Sequence, residues 1–442
     1  MINGYKLLNQ EYKKMKKIIL GSALAFAALT LTSCLHDNED LFEKPAAERM
    51  EEAVKADKEL LESATNGWQM HYYTGQNYTG GGYTMFMKFK NGKASVSSDI
   101  APGSMVTTSS YDVTKDQGPV LTFNTYNTIM HYLCQPYQSD VDGEQGDYEF
   151  VITRTTQDSI FVTGKKWGNK FVMTRVPADQ SWKESINKMQ SVLYSMPFNF
   201  AKEGASAEND SIVLDPSVRR LYVGHDREVG TPFYMTTEGI GFMEPVSIGG
   251  KEVTELKYDS ANESLASADG SLKLAKNNPA GYHSLAEFMG TWNMTFKDYN
   301  SSTGKYVDNT QAFTLSAMSD LIEQPSFSYL YGQFQIGNYQ FAVRFAYSPV
   351  TGNLTLPAQY IADPTGQYPA LLLAACNVTD DGYVRPIYAA PFNIQPDKDG
   401  NMKVVCSVGE CDSIVLIAVN SSGELVSLFY IWEDVSDFVS AQ

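Results

Sequence analysis

The chain has 442 residues, of which 43% are hydrophobic and 19% charged. This composition excludes a disordered chain, and the length favours two globular domains over one. The 34 basic residues are outnumbered by 51 acidic ones, which excludes nucleic acid as a partner because affinity for a phosphate backbone depends on Lys and Arg. Aromatic residues make up 12% of the chain, which favours strands over helices.

The N-terminal segment has the pattern of an export signal. Lys16 and Lys17 precede an uncharged run over residues 18–31. A helix of that length spans about 21 Å, which is too short for a bilayer core of about 30 Å. We therefore predict that residues 1–33 are a signal peptide, in which residues 1–14 are a spurious extension before the true start at Met15.

The end of this segment, Leu31-Thr32-Ser33-Cys34, resembles the lipobox of bacterial lipoproteins. The resemblance implies that the mature chain begins at Cys34 and carries diacylglycerol on its thiol. The first 33 residues hold five Lys and one Glu, which leaves 29 basic and 50 acidic residues and a net charge of −21. Because such a charge opposes docking on anionic lipid, we expect the lipid to be the sole membrane contact.

An acidic stretch follows the cysteine, and we predict that residues 34–44 form a flexible tether. Acidic residues in this place resemble the surface-export signal of Bacteroidota lipoproteins. The resemblance implies an outer-membrane protein that faces the cell exterior. A solvated spacer on the periplasmic face is the alternative.

The mature chain then begins with a helix and continues as strands. Pro45 suits a first helical turn and Gly67 a stop, so a helix is predicted over residues 45–64. Period-two runs separated by turns such as Asn91-Gly92 follow. A second helix, predicted over residues 182–196, opens with a capping box from Ser181 to Glu184. We assign residues 45–280 to one antiparallel β domain with this helix inserted, and its polar end, residues 261–280, to a domain boundary.

The second predicted domain covers residues 284–442. It opens with a capping box from Ser284 to Glu287 and a short helix, and Gly290-Thr291-Trp292 leads into the first strand. This entry resembles that of lipocalin-type barrels, although Trp292 also fits an ordinary core position. The predicted fold class is mainly β with a few helices, arranged as two antiparallel β-barrel-like or sandwich domains, the second one lipocalin-like.

No catalytic motif or metal-binding spacing is recognisable, so neither an enzyme nor a cofactor is predicted. One acidic loop, with Asp140, Asp142 and Asp147, places oxygen ligands around glycines as a calcium site needs. An ordinary turn before a strand is the preferred alternative.

Two further sets of residues are candidate sites. Four tyrosines flank the glycine run 80–82, where their rings could stack on sugars, although strand aromatics are more often core; they are Tyr72, Tyr73, Tyr78 and Tyr83. Cys406 and Cys411 flank a four-residue hairpin loop, where an exported protein could form a disulfide or keep two thiols. Cys134 and Cys376 are interpreted as buried thiols.

Residues 41–258 resemble a domain of unknown function found in Bacteroidota lipoproteins. The resemblance rests on four stretches: residues 41–49, Asn66-Gly67-Trp68 with Tyr72-Tyr73, residues 146–150 and residues 233–237. It implies lipoproteins of the outer membrane that accompany nutrient importers, and it assigns no catalytic residues. Two hypotheses follow: capture of a glycan or peptide for an outer-membrane importer, or a non-catalytic accessory subunit of an outer-membrane complex.

Overall fold

A computed structural model describes most of the chain. The described residues are 44–116, 118–136, 141–203, 211–224, 230–300, 302–316, 329–336, 338–379, 383–387, 392–396, 402–406 and 413–440. The chain divides into two compact units, residues 1–53 and residues 54–442. The first contributes only the start of one helix to the described part. The second unit holds two closed barrels and a third, larger sheet, so the predicted mainly β fold with barrel-like domains is confirmed.

The first closed barrel has eight antiparallel strands in sequential order. They are β1 (Trp68–Tyr73), β2 (Gly82–Lys90), β3 (Lys93–Ser98), β4 (Thr107–Lys115), β5 (Pro119–Phe123), β6 (Glu149–Thr155), β7 (Ser159–Gly164) and β8 (Lys170–Arg175). Closure occurs where β1 pairs with β8, with Trp68 opposite Arg175. Eight strands leave an interior just wide enough for side chains to fill, and here Trp68, Tyr72, Phe150 and their neighbours fill it.

The second closed barrel also has eight antiparallel strands. They are β9 (Asn199–Lys202), β10 (Ser211–Asp215), β11 (Arg220–Val223), β12 (Thr231–Met235), β13 (Gly239–Ile248), β14 (Lys251–Asp259), β15 (Ser264–Ser267) and β16 (Lys273–Lys276). Its closing pair is β9 with β16, where Ala201 lies opposite Ala275. A separate core of buried residues, including Phe200, Phe233 and Leu256, fills it.

The segment assigned to a domain boundary is part of this barrel, so that interpretation of residues 261–280 is wrong. β15 and β16 lie there, and each buries a leucine, Leu265 or Leu274, in the core. Each of these strands has four residues and one leucine. A pattern this short cannot be distinguished from that of a polar turn in the sequence. Residues 45–280, assigned from the sequence to one β domain, thus contain two barrels.

The third sheet has twelve strands. They are β17 (Gly290–Asn300), β18 (Lys305–Leu315), β19 (Tyr329–Ile336), β20 (Tyr339–Ser348), β21 (Asn353–Leu356), β22 (Gln359–Ile361), β23 (Ala370–Val378), β24 (Val384–Ile387), β25 (Phe392–Pro396), β26 (Met402–Cys406), β27 (Ser413–Val419) and β28 (Leu425–Ser440). β17 pairs with both β18 and β28. A bridge between Ser316 and Tyr331 connects the end of β18 to β19.

Four α-helices accompany the strands in the described part: α1 (Ala46–Ser63), α2 (Thr128–Tyr132), α3 (Trp182–Ser195) and α4 (Leu285–Phe288). The Ser181 side chain accepts a hydrogen bond from Glu184 N and caps α3. Ser284 N and Oγ both donate to the Glu287 carboxylate at the start of α4. Helix α3 buries Ile186 in the core of the second barrel. None of the helices in the described ranges is long and apolar enough to cross a membrane.

A buried ion pair joins the two barrels. Asp99, after β3, and Arg219, before β11, are 3% and 5% exposed. Arg219 Nη1 donates to Asp99 Oδ2 at 2.5 Å and to Gly82 O at 3.0 Å. Thr84 N donates to Asp99 Oδ1 at 3.0 Å. Burial raises the pKa of the Asp99 carboxyl, and the Arg219 charge opposes that rise.

A hydrogen-bonded chain through His71 also links the barrels. The His71 ring stacks on Tyr234 of the second barrel, with centroids 3.6 Å apart. Thr84 Oγ1 donates its proton to Met235 O, so it can only accept from His71 Nδ1, 3.3 Å away. The remaining ring nitrogen, Nε2, then accepts from Gln69 Nε2 at 3.4 Å. This assignment makes the imidazole neutral, and burial lowers its pKa to about 4.

Candidate functional site

A groove crosses the outer face of the third sheet. It consists of two cavities of about 540 Å³ and 420 Å³ that share Tyr331, Gln340 and Ala342 as lining residues. Strands β17 to β20 form its floor, because side chains alternate between the two faces of each strand. On β20, Val343 and Phe345 are buried in the core, whereas Arg344 between them is exposed.

The lining of this groove is polar but almost uncharged. The outward side chains are amides, hydroxyls, tyrosines and small residues: Thr291, Ala312, Thr314, Ser316, Tyr331, Gln333, Gln335, Gln340, Ala342, Gln359 and Tyr360. Arg344 is the one charged residue among the described lining residues, and none of those residues is a carboxylate. In a chain with 51 acidic residues, the described part of the groove surface has no carboxylate and offers neutral donors and acceptors together with a single cation.

The cation of the groove, Arg344, contacts a tyrosine of the neighbouring strand. The Arg344 guanidinium lies 4.6 Å from the centroid of the Tyr329 ring. On neighbouring strands Arg344 is the register partner of Tyr331. Within the described residues Arg344 forms no ion pair with a carboxylate. A cation–π contact of this kind restrains the guanidinium, and no described carboxylate occupies its N–H groups.

On one wall of the groove, the Gln359 side-chain amide binds the main chain of β20 in the way that a neighbouring strand would. The Gln359 side chain accepts a hydrogen bond from Arg344 N at 2.9 Å and donates to Arg344 O at 2.8 Å. The main chain of the next residue, Tyr360, pairs with Leu372 of β23. With its backbone fixed in this way, Tyr360 remains 64% exposed beside the cavity. The result is a tyrosine ring presented on a rigid element.

A second cleft, of about 620 Å³, lies between the barrels next to Tyr78. Arg220 is the cation that lines this cleft, and its Nη1 already donates hydrogen bonds to the carbonyls of Tyr78, Thr79 and Gly80. The Tyr78 hydroxyl accepts from Lys170 N at 2.8 Å. Polar groups in this cleft therefore bind the protein itself, and the sheet groove is the stronger candidate site.

The four tyrosines predicted as a stacking platform do not form one. Tyr72, Tyr73 and Tyr83 are 0%, 2% and 8% exposed, and the Tyr78 ring is partly buried against Tyr73. The glycine run between them is not a free loop. A Cβ on Gly82 would lie 2.6 Å from Phe233 O of the second barrel. These glycines permit close approach of the two barrels, and the tyrosines belong to the core.

Two of the three carboxylates proposed for calcium serve the loop itself. Asp147 is buried, and its Oδ1 accepts from Lys166 N at 2.7 Å. Asp142 Oδ1 is 3.1 Å from Lys166 Nζ. Burial raises the pKa of the Asp147 carboxyl, while its backbone hydrogen bonds lower it. In the described ranges, no group of three or more His, Cys, Asp or Glu side chains is placed to hold a metal ion.

Several predicted sites lie outside the described residues. These are the lipidation site Cys34, the third loop carboxylate Asp140 and Cys411; of Cys406 only the main chain in β26 is described. The disulfide therefore stays a prediction. Cys376 is buried and Cys134 is partly buried, and burial raises the pKa of the Cys134 thiol to about 12.

The residues of the sheet groove were missed in the sequence because their pattern is that of a solvated strand face. Gln333, Gln335, Gln340 and Arg344 alternate with buried residues, as in any half-exposed sheet. One signal was available: these outward positions carry amides and one Arg, with no Asp, Glu or Lys, in an acidic chain.

Comparison with known proteins assigns part of the chain to a family. A family model described as "Domain of unknown function (DUF4302)" matches residues 38–260. The match contains the first barrel and the second as far as β14, and the groove on the third sheet lies outside it. No curated protein and no solved structure matches the chain. The role of the groove must therefore be inferred from its own chemistry.

Proposed function

The chain belongs to the DUF4302 family, whose description assigns no activity, and from that premise we propose that it is a non-catalytic lipoprotein that captures an oligosaccharide in the groove of its third sheet. The observation that carries the proposal is the lining of this groove: neutral amides, hydroxyls and tyrosines on a rigid sheet, without a carboxylate among the described residues.

The chemistry of the groove supports a sugar ligand over a peptide. Amide and hydroxyl side chains both donate and accept hydrogen bonds, which matches the mixed character of sugar hydroxyls. The exposed Tyr360 ring offers an apolar face for the C–H face of a sugar. An extended peptide would instead require an open strand edge, and at Arg344 that edge is occupied by the Gln359 amide.

The first experiment measures oligosaccharide binding. Purified protein is applied to an array of neutral and acidic oligosaccharides, and dissociation constants are determined for those retained. We expect Tyr360→Ala to weaken binding by roughly threefold to tenfold, since an aromatic contact contributes about 0.5–1.5 kcal/mol. Tyr383→Ala is the matched control, because Tyr383 is 67% exposed but does not line the groove. Complete absence of binding to the array would refute the proposal.

The cellular part of the proposal rests on the sequence. We propose that Cys34 carries the lipid anchor, that the protein resides in the outer membrane facing outward, and that it passes its ligand to an outer-membrane importer. Cys34→Ala is expected to abolish incorporation of a labelled fatty acid and to release the protein from membranes. Protease treatment of intact cells distinguishes the exterior from the periplasmic face, because only an outward-facing protein is digested.

A second candidate function, that of an accessory subunit, is favoured by one surface. The β27–β28 hairpin presents Leu425, Val426 and Leu428, which are 39%, 49% and 52% exposed. Exposed apolar side chains grouped in this way are typical of a protein contact. For an accessory subunit we expect co-purification of one stoichiometric protein that Leu428→Lys abolishes and Tyr360→Ala does not. The opposite pattern favours ligand capture.

A further inference from the structure

Arg344 is the one charged side chain among the described residues that line the groove. It lies on β20 between two buried positions and is exposed on the groove floor. The guanidinium lies over the Tyr329 ring, 4.6 Å from its centroid, and forms no ion pair with a described carboxylate. A planar guanidinium held in this manner presents two parallel N–H groups, the geometry that matches a carboxylate.

From this geometry, and resting on the proposed oligosaccharide-binding function, we infer that the groove selects an oligosaccharide in which a carboxylate-bearing sugar, such as a uronic acid, pairs with Arg344 while neutral sugars occupy the remainder. The two parts of the groove have different chemistry. The cavity around Arg344 and Tyr360 holds the cation, and the adjoining cavity around Gln333 and Thr314 is lined by neutral groups.

The number of charges on the ligand follows from the charge of the protein. The chain carries a net charge of −17, so each additional carboxylate on a ligand meets repulsion. Arg344 is the one lining residue of the described groove that can compensate a negative charge. We therefore expect the preferred oligosaccharide to have one acidic sugar in the part that the groove binds. An oligosaccharide made only of acidic sugars should bind more weakly.

The length of the ligand follows from the spacing of the strands. The groove extends from β20, which carries Arg344, to Thr291 on β17. Three spacings of about 4.8 Å between neighbouring strands give roughly 14 Å. A ligand that contacts both ends is therefore an oligosaccharide, and a single sugar would reach only one cavity.

The test compares three classes of oligosaccharide on the full mature protein. The probes are neutral oligosaccharides, oligosaccharides of the same length with one uronic acid, and oligosaccharides with one sulfate. We expect the uronic acid class to bind about tenfold more tightly than the neutral class, and added salt to reduce this difference. Arg344→Gln should remove the preference for the uronic acid class, whereas Arg344→Lys should retain only part of it.

Arg385→Gln is the matched control, since Arg385 is also exposed on the third sheet but does not line the groove. The preference is expected to survive in this variant. If neutral and acidic oligosaccharides bind equally and Tyr360→Ala still weakens both, the inference on Arg344 is overturned and the proposed function stands. A preference that persists in Arg344→Gln, or a stronger preference for sulfate, also overturns it. If no oligosaccharide binds, both fail.

Discussion

The buried ion pair between the barrels gives the sharpest test of the fold. Asp99→Ala removes the carboxylate that receives Arg219 Nη1 at 2.5 Å and Thr84 N at 3.0 Å. The Arg219 cation, 5% exposed, is then left without its counter-charge. Breaking a buried pair from one side costs about 3–5 kcal/mol, and the Thr84 N–H left without an acceptor adds about 1–3 kcal/mol. We expect the free energy of unfolding to fall by at least about 4 kcal/mol.

Denaturant unfolding of the purified protein measures this loss, and a double-mutant cycle assigns it to the pair. Arg219→Met alone should also destabilise the fold strongly, because Asp99 then keeps a buried charge. The double variant Asp99→Ala with Arg219→Met should lose clearly less than the sum of the two single variants, since it removes both charges together. Additive losses, or a loss below about 1 kcal/mol in Asp99→Ala, would refute the assignment of the pair as a barrel-to-barrel link.

Two other predictions concern the same interface. His71 has a pKa lowered to about 4 from 6.5, so its contribution to stability is complete above pH 6.5 and is lost as the pH falls towards 4. Between pH 7 and pH 4, the free energy of unfolding of the unsubstituted protein, measured by denaturant unfolding, should therefore fall by roughly 2–3 kcal/mol more than that of His71→Gln. Gly82→Ala should lower the melting temperature by several degrees, because its Cβ would lie 2.6 Å from Phe233 O. Gly118→Ala is the control and should have little effect, because its Cβ would lie 3.6 Å from Val151. Equal shifts in melting temperature would contradict the close approach of Gly82 to Phe233.

Local signals in the sequence predicted the individual elements well. The Ser181 and Glu184 pair placed the start of helix α3, because the capping side chain and the amide that it accepts from are three residues apart. Asn91 and Gly92 marked a hairpin turn, and both have positive φ angles, of 50° and 71°. Such features depend on neighbouring residues alone, so a single sequence contains them in full.

Barrel closure could not be predicted in the same way. Whether β1 pairs with β8 depends on residues about a hundred positions apart, such as Trp68 and Arg175, and no local pattern specifies that contact. The tyrosines were assigned to a platform for the same reason. No sequence feature near Gly82 indicates that Phe233, a residue of the second barrel, lies close to it.

The end of the family match has a consequence for the folding unit. The match stops at residue 260, yet the second barrel closes only through β15 (Ser264–Ser267) and β16 (Lys273–Lys276). Without these strands, β9 and β14 would each lose a partner on one side and present unpaired N–H and C=O groups, and the core would lose Leu265 and Leu274. The smallest unit with both barrels closed therefore extends to residue 276, and the sheet that carries the groove begins after it, with β17 at Gly290.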